Sequence, residues 1–571
     1  MKNDAALFSE TEVPVEARNE VPAGSLDTVS RARWPVFAVI LLGLAIRLLF
    51  FNGYQGHDDR SYVTFATILA EQGRVAVEDR SQWIGRIGFW VPVAGAVSIF
   101  GLSNFSLTLY PLVCSLGGIL LAIKLGTLLF NRETGLVAGV LLAIMPIDVM
   151  LSTYVYADLP MAVFVSLTLY LFLRAEHGTG GRQNAFLYLG AGIAAGIAYL
   201  HRENAAFLIA PFAIYLLYYR KIRWQYGWIL AGGALVLALE VGFWTYHTDD
   251  PLYRVHSITE GTSGGDERAE KRGLREADES FLTRWIPRPG RLRRGTPDTH
   301  LIEPVLMFTT NQDFGLMYLI GWPIALLSLW RRDRGFVLAM WVVVLALMLA
   351  YFPVMYPFTM VRNPRYYMWL SIPMMVLIAA WLRSVRPALG YAVGGLLVLS
   401  SLACILIDSS REALAPVRTT INFVQRHDGE RVWVSPGYRI AMKVLAGDQE
   451  LGDLQTHMLT TNFTSNDYKH HQALFPDVQV ADSIDAIEEG YVVVAFDEKK
   501  ADVREQLEQR GERIKQELPT RTGLMGYVVK LARAVGVPRQ FVSRLLSGEG
   551  KTLEIWQVGS TQMQLDSNEP Q

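Results

Sequence analysis

Apolar runs long enough, or nearly long enough, to cross a bilayer recur along this chain from Trp34 to Ile407. A helix rising about 1.5 Å per residue needs about 20 apolar residues to cross a hydrocarbon core of ~30 Å. The first runs are Trp34–Phe51, Leu107–Phe130, Gly135–Tyr156, Leu159–Leu173 and Phe186–Leu200. Then come Ala205–Tyr219, Tyr226–Tyr246, Phe314–Trp330, Gly335–Phe352, Tyr366–Leu382 and Ala388–Ile407. Basic residues fall at every second junction: Arg31 and Arg33, Arg132, Arg174 and Arg182, Arg220-Lys221 and Arg223, Arg331-Arg332 and Arg334, Arg383 and Arg386. The positive-inside rule places that whole set in the cytoplasm. The pattern therefore predicts eleven transmembrane helices, with the N-terminus inside and the C-terminus outside.

The stretch Ile87–Gly101 is apolar enough to tempt a further span. Counting it would invert every later junction. Residues 60–101 are instead expected as helices lying in the outer interface, with Trp83 and Trp90 as aromatic anchors. The fold class that follows is an all-α polytopic membrane domain over residues 34–407, with outer loops at 52–106 and 247–313. Residues 1–33 are polar and lack an apolar core, and are expected as a disordered cytoplasmic tail. Residues 408–571 are expected as a soluble outer α/β domain. Its segments Arg431–Ser435, Tyr491–Phe496 and Thr552–Val558 resemble strands, and Ala501–Arg510 a helix between them.

Composition narrows the functional classes. The chain has 571 residues, 51% hydrophobic and 19% charged, with a formal net charge of −1. Without a basic surplus it does not read as a nucleic-acid binder. Its two cysteines, Cys114 and Cys404, sit inside apolar runs, which excludes a disulfide framework and fits small core residues.

Candidate chemistry collects on the expected outer side. Asp58-Asp59 follows the first span directly, at the bilayer edge, where a charge costs far less than at the centre. Asp158 follows the third run in Tyr154-Val155-Tyr156-Ala157-Asp158-Leu159-Pro160. His201-Arg202-Glu203 lies between two short spans, and Arg362, Arg365, Tyr366 and Tyr367 precede the tenth. Each has a plainer reading. Asp58-Asp59 could cap a helix starting near Arg60, and Asp158 could cap one with Pro160 in its first turn. Arg202-Glu203 could be a local ion pair. The arginines at 284, 288, 291, 293 and 294 fit a solvated or headgroup-binding face. Asn462-Phe463-Thr464 matches a glycosylation acceptor, too short a pattern to weigh. His57 beside the acids invites a metal, but no second ligand stands at a supporting spacing.

Together these residues carry a family pattern. The pieces are His57-Asp58-Asp59-Arg60-Ser61-Tyr62, the stretch ending Ile99-Phe100-Gly101, and Leu129-Phe130-Asn131-Arg132-Glu133-Thr134-Gly135. That last piece continues through Met145-Pro146 to Asp158-Leu159-Pro160. Pro364-Arg365-Tyr366-Tyr367 with Ile372-Pro373 completes the series. In order and topology the chain, over residues 34–407, resembles the GT-C fold glycosyltransferases of the protein O-mannosyltransferase and lipid A aminoarabinose-transferase type. It departs from many relatives in having Asp59 where they have Glu. It also has Trp83-Ile84-Gly85-Arg86-Ile87-Gly88 where they carry a Lys-Pro-Pro-like motif.

The resemblance implies a polyprenyl-phosphate sugar as donor, transfer on the extracytoplasmic side, and an essential acid in the first outer loop. The size of the chain and its C-terminal tail point to a bacterial inner membrane, with the site facing the periplasm. On that view Asp58 is the general base, with Asp59 competing. Asp158 orients the acceptor or helps hold a divalent cation, which is allowed but not required. Arg202 and Arg365, with Tyr366, bind the donor phosphate. His57, Arg86 and Glu203 belong to the acceptor side or the surrounding shell. The acceptor is a glycolipid such as lipid A, another glycan or a protein, and direct displacement inverts the anomeric centre. A transporter or flippase for a lipid-linked sugar is the alternative; it calls for two matched halves and charges near the midplane. A structural or sensing protein would leave the acid pair without a role.

Overall fold

The structure, a computed structural model, describes residues 26–56, 59–77, 83–178, 182–220, 223–258, 308, 311–351, 364–408, 415–427, 429–453, 456–459, 474–475, 477–494, 500–517 and 552–559. His57, Asp58, Arg362, the arginines at 284–294, most of the loop 247–313 and Asn462–Thr464 lie outside these residues, as does most of the expected tail.

The apolar runs fold as helices. They are α1 (Leu26–Leu49), α4 (Asn104–Leu129), α5 (Arg132–Ala143), α6 (Pro146–Leu151), α7 (Asp158–Glu176), α8 (Arg182–His201), α9 (Ile209–Tyr219) and α10 (Gly227–Thr248). Later come α11 (Met317–Arg331), α12 (Phe336–Tyr351), α13 (Ser371–Ser384) and α14 (Pro387–Asp408). Between α1 and α4 lie α2 (Asp59–Gln72) and α3 (Ile87–Phe100). Among the described residues six helices are long and apolar enough to cross a membrane: Asn104–Leu129, Asp158–Glu176, Arg182–His201, Trp224–Thr248, Pro364–Ser384 and Pro387–Leu406. Trp34–Leu49, Ile87–Phe100, Glu203–Tyr219 and Phe336–Ala350 are shorter apolar helices. At 14 residues, α3 reaches only about 21 Å and packs against α2, α4 and α8.

Four expectations are corrected. The run Gly135–Tyr156 is not one helix but two, α5 and α6, parted at Ile144-Met145. Pro146 lacks an N–H and bars its predecessor from the helical region, and Met145 is extended at φ −69°, ψ 121°. Residues 26–33, placed in the tail, already belong to α1. The run Ala205–Tyr219 opens with a tight 3-10 segment, Glu203–Leu208, before α9. Trp90 is no interfacial anchor: it is fully buried, edge-on to Phe65 and Phe243, with its indole N–H donating to the Ile84 carbonyl at 2.8 Å.

Small residues let the helices close. A Cβ on Gly192 or Gly232 would strike the backbone of Ile229 or Leu189, so α8 and α10 meet main chain to main chain. The ends of the bundle differ in chemistry. Arg383 pairs with Glu133, Arg223 approaches Glu176 at 3.6 Å, and Arg332 lies 5.9 Å over the Tyr218 ring. The first contact joins the end of α13 to the start of α5. The others, with the Tyr215 hydroxyl donating to Glu176, gather the ends of α7, α9 and α11 at the start of α10, so the basic junctions meet one another in these two groups. Trp224, Trp330 and Tyr391 are exposed beside them, as an aromatic belt would be.

The last part of the chain is an α/β unit with α15 (Ala415–Arg426), α16 (Pro436–Asp453) and α17 (Lys500–Arg510). Its strands are β1 (Val432–Val434), β2 (Thr456–Leu459), β3 (Val480–Ala481), β4 (Gly490–Val494), β5 (Gly511–Glu517) and β6 (Thr552–Val558). They form one sheet in the order β3-β2-β1-β4-β6-β5. The first four are parallel, with Val432 opposite Thr456 and Tyr491, and β6 and β5 close the sheet antiparallel. The expected strands near 432, 491 and 552 and the helix near 501 are all present. The short strands β2 and β3 and the charged β5 carried no alternating pattern strong enough to announce them.

Candidate active site

At the bundle end opposite the basic junctions, α7 begins with Asp158. The carboxylate caps no helix: the cap position is Ala157, with no side-chain bond to the first turn. Instead one oxygen pairs with Arg202 Nη1 and the other lies 3.8 Å from Arg365 Nε. Arg202 reaches it because α8 ends at His201 and the chain turns extended there, at φ −157°, ψ 139°. Arg365 comes from the 3-10 turn Pro364–Leu370 that leads into α13.

The aromatic side chains hold the two guanidiniums flat. Arg202 lies 4.4 Å over the Tyr366 ring, and Arg365 lies 4.8 Å over Tyr156 and 5.4 Å from Tyr366. A third arginine joins them. Arg86 donates to the Tyr62 hydroxyl at 2.6 Å and to Glu203 at 3.2 Å. So Arg202 and Glu203 are not a local pair; each reaches across the site to a different element. Burial works against the charge on Arg86, yet the Tyr62 hydroxyl and the Glu203 carboxylate beside it hold its pKa above the ordinary value, so it stays protonated. Burial pushes the Tyr62 phenol upward despite that arginine, so it stays neutral.

The polar accounting is incomplete in a telling way. Arg86 Nε, Arg202 Nε and one Glu203 oxygen are buried with no hydrogen-bond partner among the described residues. Buried polar groups are ordinarily satisfied, and exceptions call for a ligand or water. Three guanidiniums face two carboxylates, Asp158 and Glu203, which leaves a cationic surplus suited to an anion.

The expected residues thus separate into groups. Asp158, Arg202, Arg365, Tyr366, Arg86 and Glu203 come together. Asp59 starts α2, the helix whose next turn carries Tyr62 to Arg86. It is fully buried, and its Oδ2 accepts the Gln55 N–H at 2.6 Å, so it closes the turn before α2. Among the described residues no group of three or more His, Cys, Asp or Glu side chains could hold a metal ion.

Several supporting residues carried no assigned role in the sequence. His201 is stacked between Tyr110 and Phe164, with Nε2 2.8 Å from the Tyr110 hydroxyl and Nδ1 2.7 Å from the Ile197 carbonyl. Arg254 pairs with Glu240 at 2.8 Å and donates to the Tyr199 carbonyl at 2.6 Å. Its Cγ lies 2.8 Å from where a Gly85 side chain would start, so it backs the turn that presents Arg86. A second buried pair, Arg47 with Asp148, joins α1 to α6. Charges inside the runs at 47, 148 and 240 were a readable signal; their partners were not.

Residues 87–245 match the family model described as dolichyl-phosphate-mannose-protein mannosyltransferase. No curated protein sequence matches the chain. Among solved structures it is similar to ArnT from Cupriavidus metallidurans in the apo state, with a TM-score of 0.54 and 12% identity over 86% of this chain and 97% of that one. The same values hold for that ArnT bound to undecaprenyl phosphate. The Archaeoglobus fulgidus oligosaccharyltransferase in its apo form gives a TM-score of 0.48 at 12% identity, over 81% of this chain and 69% of that one. The long apolar helices, their order and the C-terminal sheet together make this chain a multi-pass protein that resembles the GT-C glycosyltransferases in fold.

Proposed function

We propose that this chain is an integral membrane glycosyltransferase. It moves a sugar from a polyprenyl-phosphate donor to an acceptor on the extracytoplasmic side. The observation that carries the reading is the Asp158-centred set of arginines, with two guanidinium N–H groups unmet at the end of a membrane bundle. ArnT, whose fold this chain shares, has been solved with undecaprenyl phosphate, and an anion of that kind suits the surplus charge here.

In this mechanism Arg202 and Arg365, with Arg86 beside them, hold the donor phosphate. Asp158 is then a positioning residue: both its oxygens are taken up in aiming the two arginines, and the acceptor is oriented by other groups. Tyr366 and Tyr156 keep the guanidiniums planar and in place. Asp59 shapes the turn after α1, which leaves Asp58 as the base. The acceptor hydroxyl loses its proton to that carboxylate as its oxygen bonds the anomeric carbon. The bond from that carbon to the phosphate oxygen breaks, and polyprenyl phosphate leaves with the electron pair. The arginines stabilise the charge that gathers on the leaving phosphate. One displacement inverts the anomeric centre.

Eleven spans, with the basic junctions in the cytoplasm and this site at the outer face of the inner membrane, complete the reading. The gathering of several basic junctions and exposed tryptophans at the opposite end supports it.

The test is incubation of the purified chain with a labelled polyprenyl-phosphate sugar and an envelope glycolipid or protein fraction. A transferase releases the label from the lipid and leaves polyprenyl phosphate; a transporter moves the label intact. Transfer that survives both Asp58→Asn and Asp59→Asn sinks the base assignment.

A further inference from the structure

The C-terminal sheet does not stand apart from the membrane bundle. One sheet face, with Val432, Val434, Tyr491 and Val493, packs with Tyr438, Ile440 and Met442 in a core continuous with that of the bundle. The other face, with Trp433, Val492, Val494 and Trp556, forms a separate core. The bridging element is α16, which packs on α2.

Two contacts define that junction. Lys443 on α16 donates to Glu71 on α2 at 2.9 Å, with only 7% of the lysine side chain exposed. About three turns earlier on α2, on the same helical face, Arg60 lies over Gly437, where an added Cβ would collide with the guanidinium. Gly437 therefore leaves room for an arginine that stands next to Asp59. The opposite side of α2 buries Tyr62 and Phe65 against Phe89 and Trp90. The helix is thus clamped between α3 and α16, with Asp59 at its start and the Tyr62–Arg86 hydrogen bond one turn on.

We propose that α16 positions α2 for the site, with Glu71 and Arg60 as the positioning residues and Lys443 and Gly437 as their seats. The C-terminal unit is then part of the frame that fixes Asp59 and Arg86. The proposal deepens the functional reading above and rests on it for its consequence, though the contact itself can be tested alone.

The experiment uses the full chain in lipid nanodiscs and reads hydrogen exchange over residues 59–72, with undecaprenyl phosphate binding in parallel. Glu71→Lys and Lys443→Glu each bring like charges together at a half-buried contact, with the lysine position on its buried side. Each should speed exchange of α2 at least ~10-fold and weaken undecaprenyl phosphate binding several-fold, because Arg86 is aimed from α2. The double reversal Glu71→Lys with Lys443→Glu should restore both. Glu71→Gln is the milder variant if a reversal fails to fold, and it should give the same signs at smaller size.

Unchanged α2 exchange in all variants, or a double reversal that fails to restore it, overturns the proposal. So does restored exchange with binding indifferent to every variant. If the wild-type chain binds no undecaprenyl phosphate, the functional reading falls. The exchange rescue then decides the α2–α16 clamp by itself.

Discussion

Two buried arginine–aspartate pairs in this chain are built to opposite ends. Arg47 and Asp148 form a closed set. Besides its carboxylate partner, Arg47 donates to Ser115 at 2.6 Å, the Gly43 carbonyl at 2.9 Å and the Ala143 carbonyl at 3.1 Å, and Ser115 itself bonds Asp148. Every nitrogen of that guanidinium has a partner. Arg202 and Asp158 form an open set: a second arginine shares the carboxylate, a third stands nearby, and Arg202 Nε is buried without a partner among the described residues. Saturated polarity joins helices; surplus, unmet polarity awaits a ligand. An ion pair in a membrane protein is thus informative through what remains unpaired around it.

The largest effect should come from breaking the closed pair. Asp148→Ala leaves a guanidinium of 0% exposure without its counter-ion, which should cost about 3–5 kcal/mol of stability, read as a drop in thermal unfolding temperature. If Asp148→Ala is as stable as wild type, the closed set is not structural. Next, Arg202→Ala should keep the fold and lower transfer about 10²–10³-fold, and Arg202→Lys should not rescue it, because a lysine lacks the planar stack on Tyr366. Equal loss of folding in Arg202→Ala and Asp148→Ala would erase the distinction between the two pairs.

The third test adds a ligand. Undecaprenyl phosphate at about 100 times its Kd should stabilise the wild-type chain by ~2.7 kcal/mol and leave Arg202→Ala nearly unmoved. Tyr62→Phe removes one hydrogen bond to Arg86 and should weaken that binding by about 1 kcal/mol, or roughly fivefold, in a titration. The smallest shift is expected from replacing the closed pair outright. Arg47→Met with Asp148→Leu exchanges a satisfied ion pair for apolar volume, a swap that is often near neutral, and transfer should persist. A loss of transfer in a stable double variant would give that pair a part in the site.

Much of the site was legible before folding. Asp158, Arg202 and Arg365 stand out as charges bordering apolar runs, and the expected topology gathered them on one face although they lie far apart in the chain. Arg86 stood in the stretch that departs from the family motif. Less legible was what each group does. Asp158 beside Pro160 reads equally well as a helix cap, and Arg202 beside Glu203 as a local pair; contacts across three or four elements reassign both. Met145-Pro146 was in plain view, yet hydropathy averages over a backbone break and so merged α5 with α6. Trp90 read as an interfacial anchor because composition cannot say which side of a short helix faces protein.

By itself the chain determined the order of its apolar runs, the alternation of basic junctions and the presence of a C-terminal α/β unit. These follow from local properties: apolar length against bilayer thickness, charge at a junction, β-rich segments between polar ones. Only the tertiary structure decided which charges meet, which N–H groups stay unmet, and that α16 rests on α2. Pairing between residues such as Glu71 and Lys443 depends on helix rotation and close approach, and neither leaves a periodic mark along the sequence.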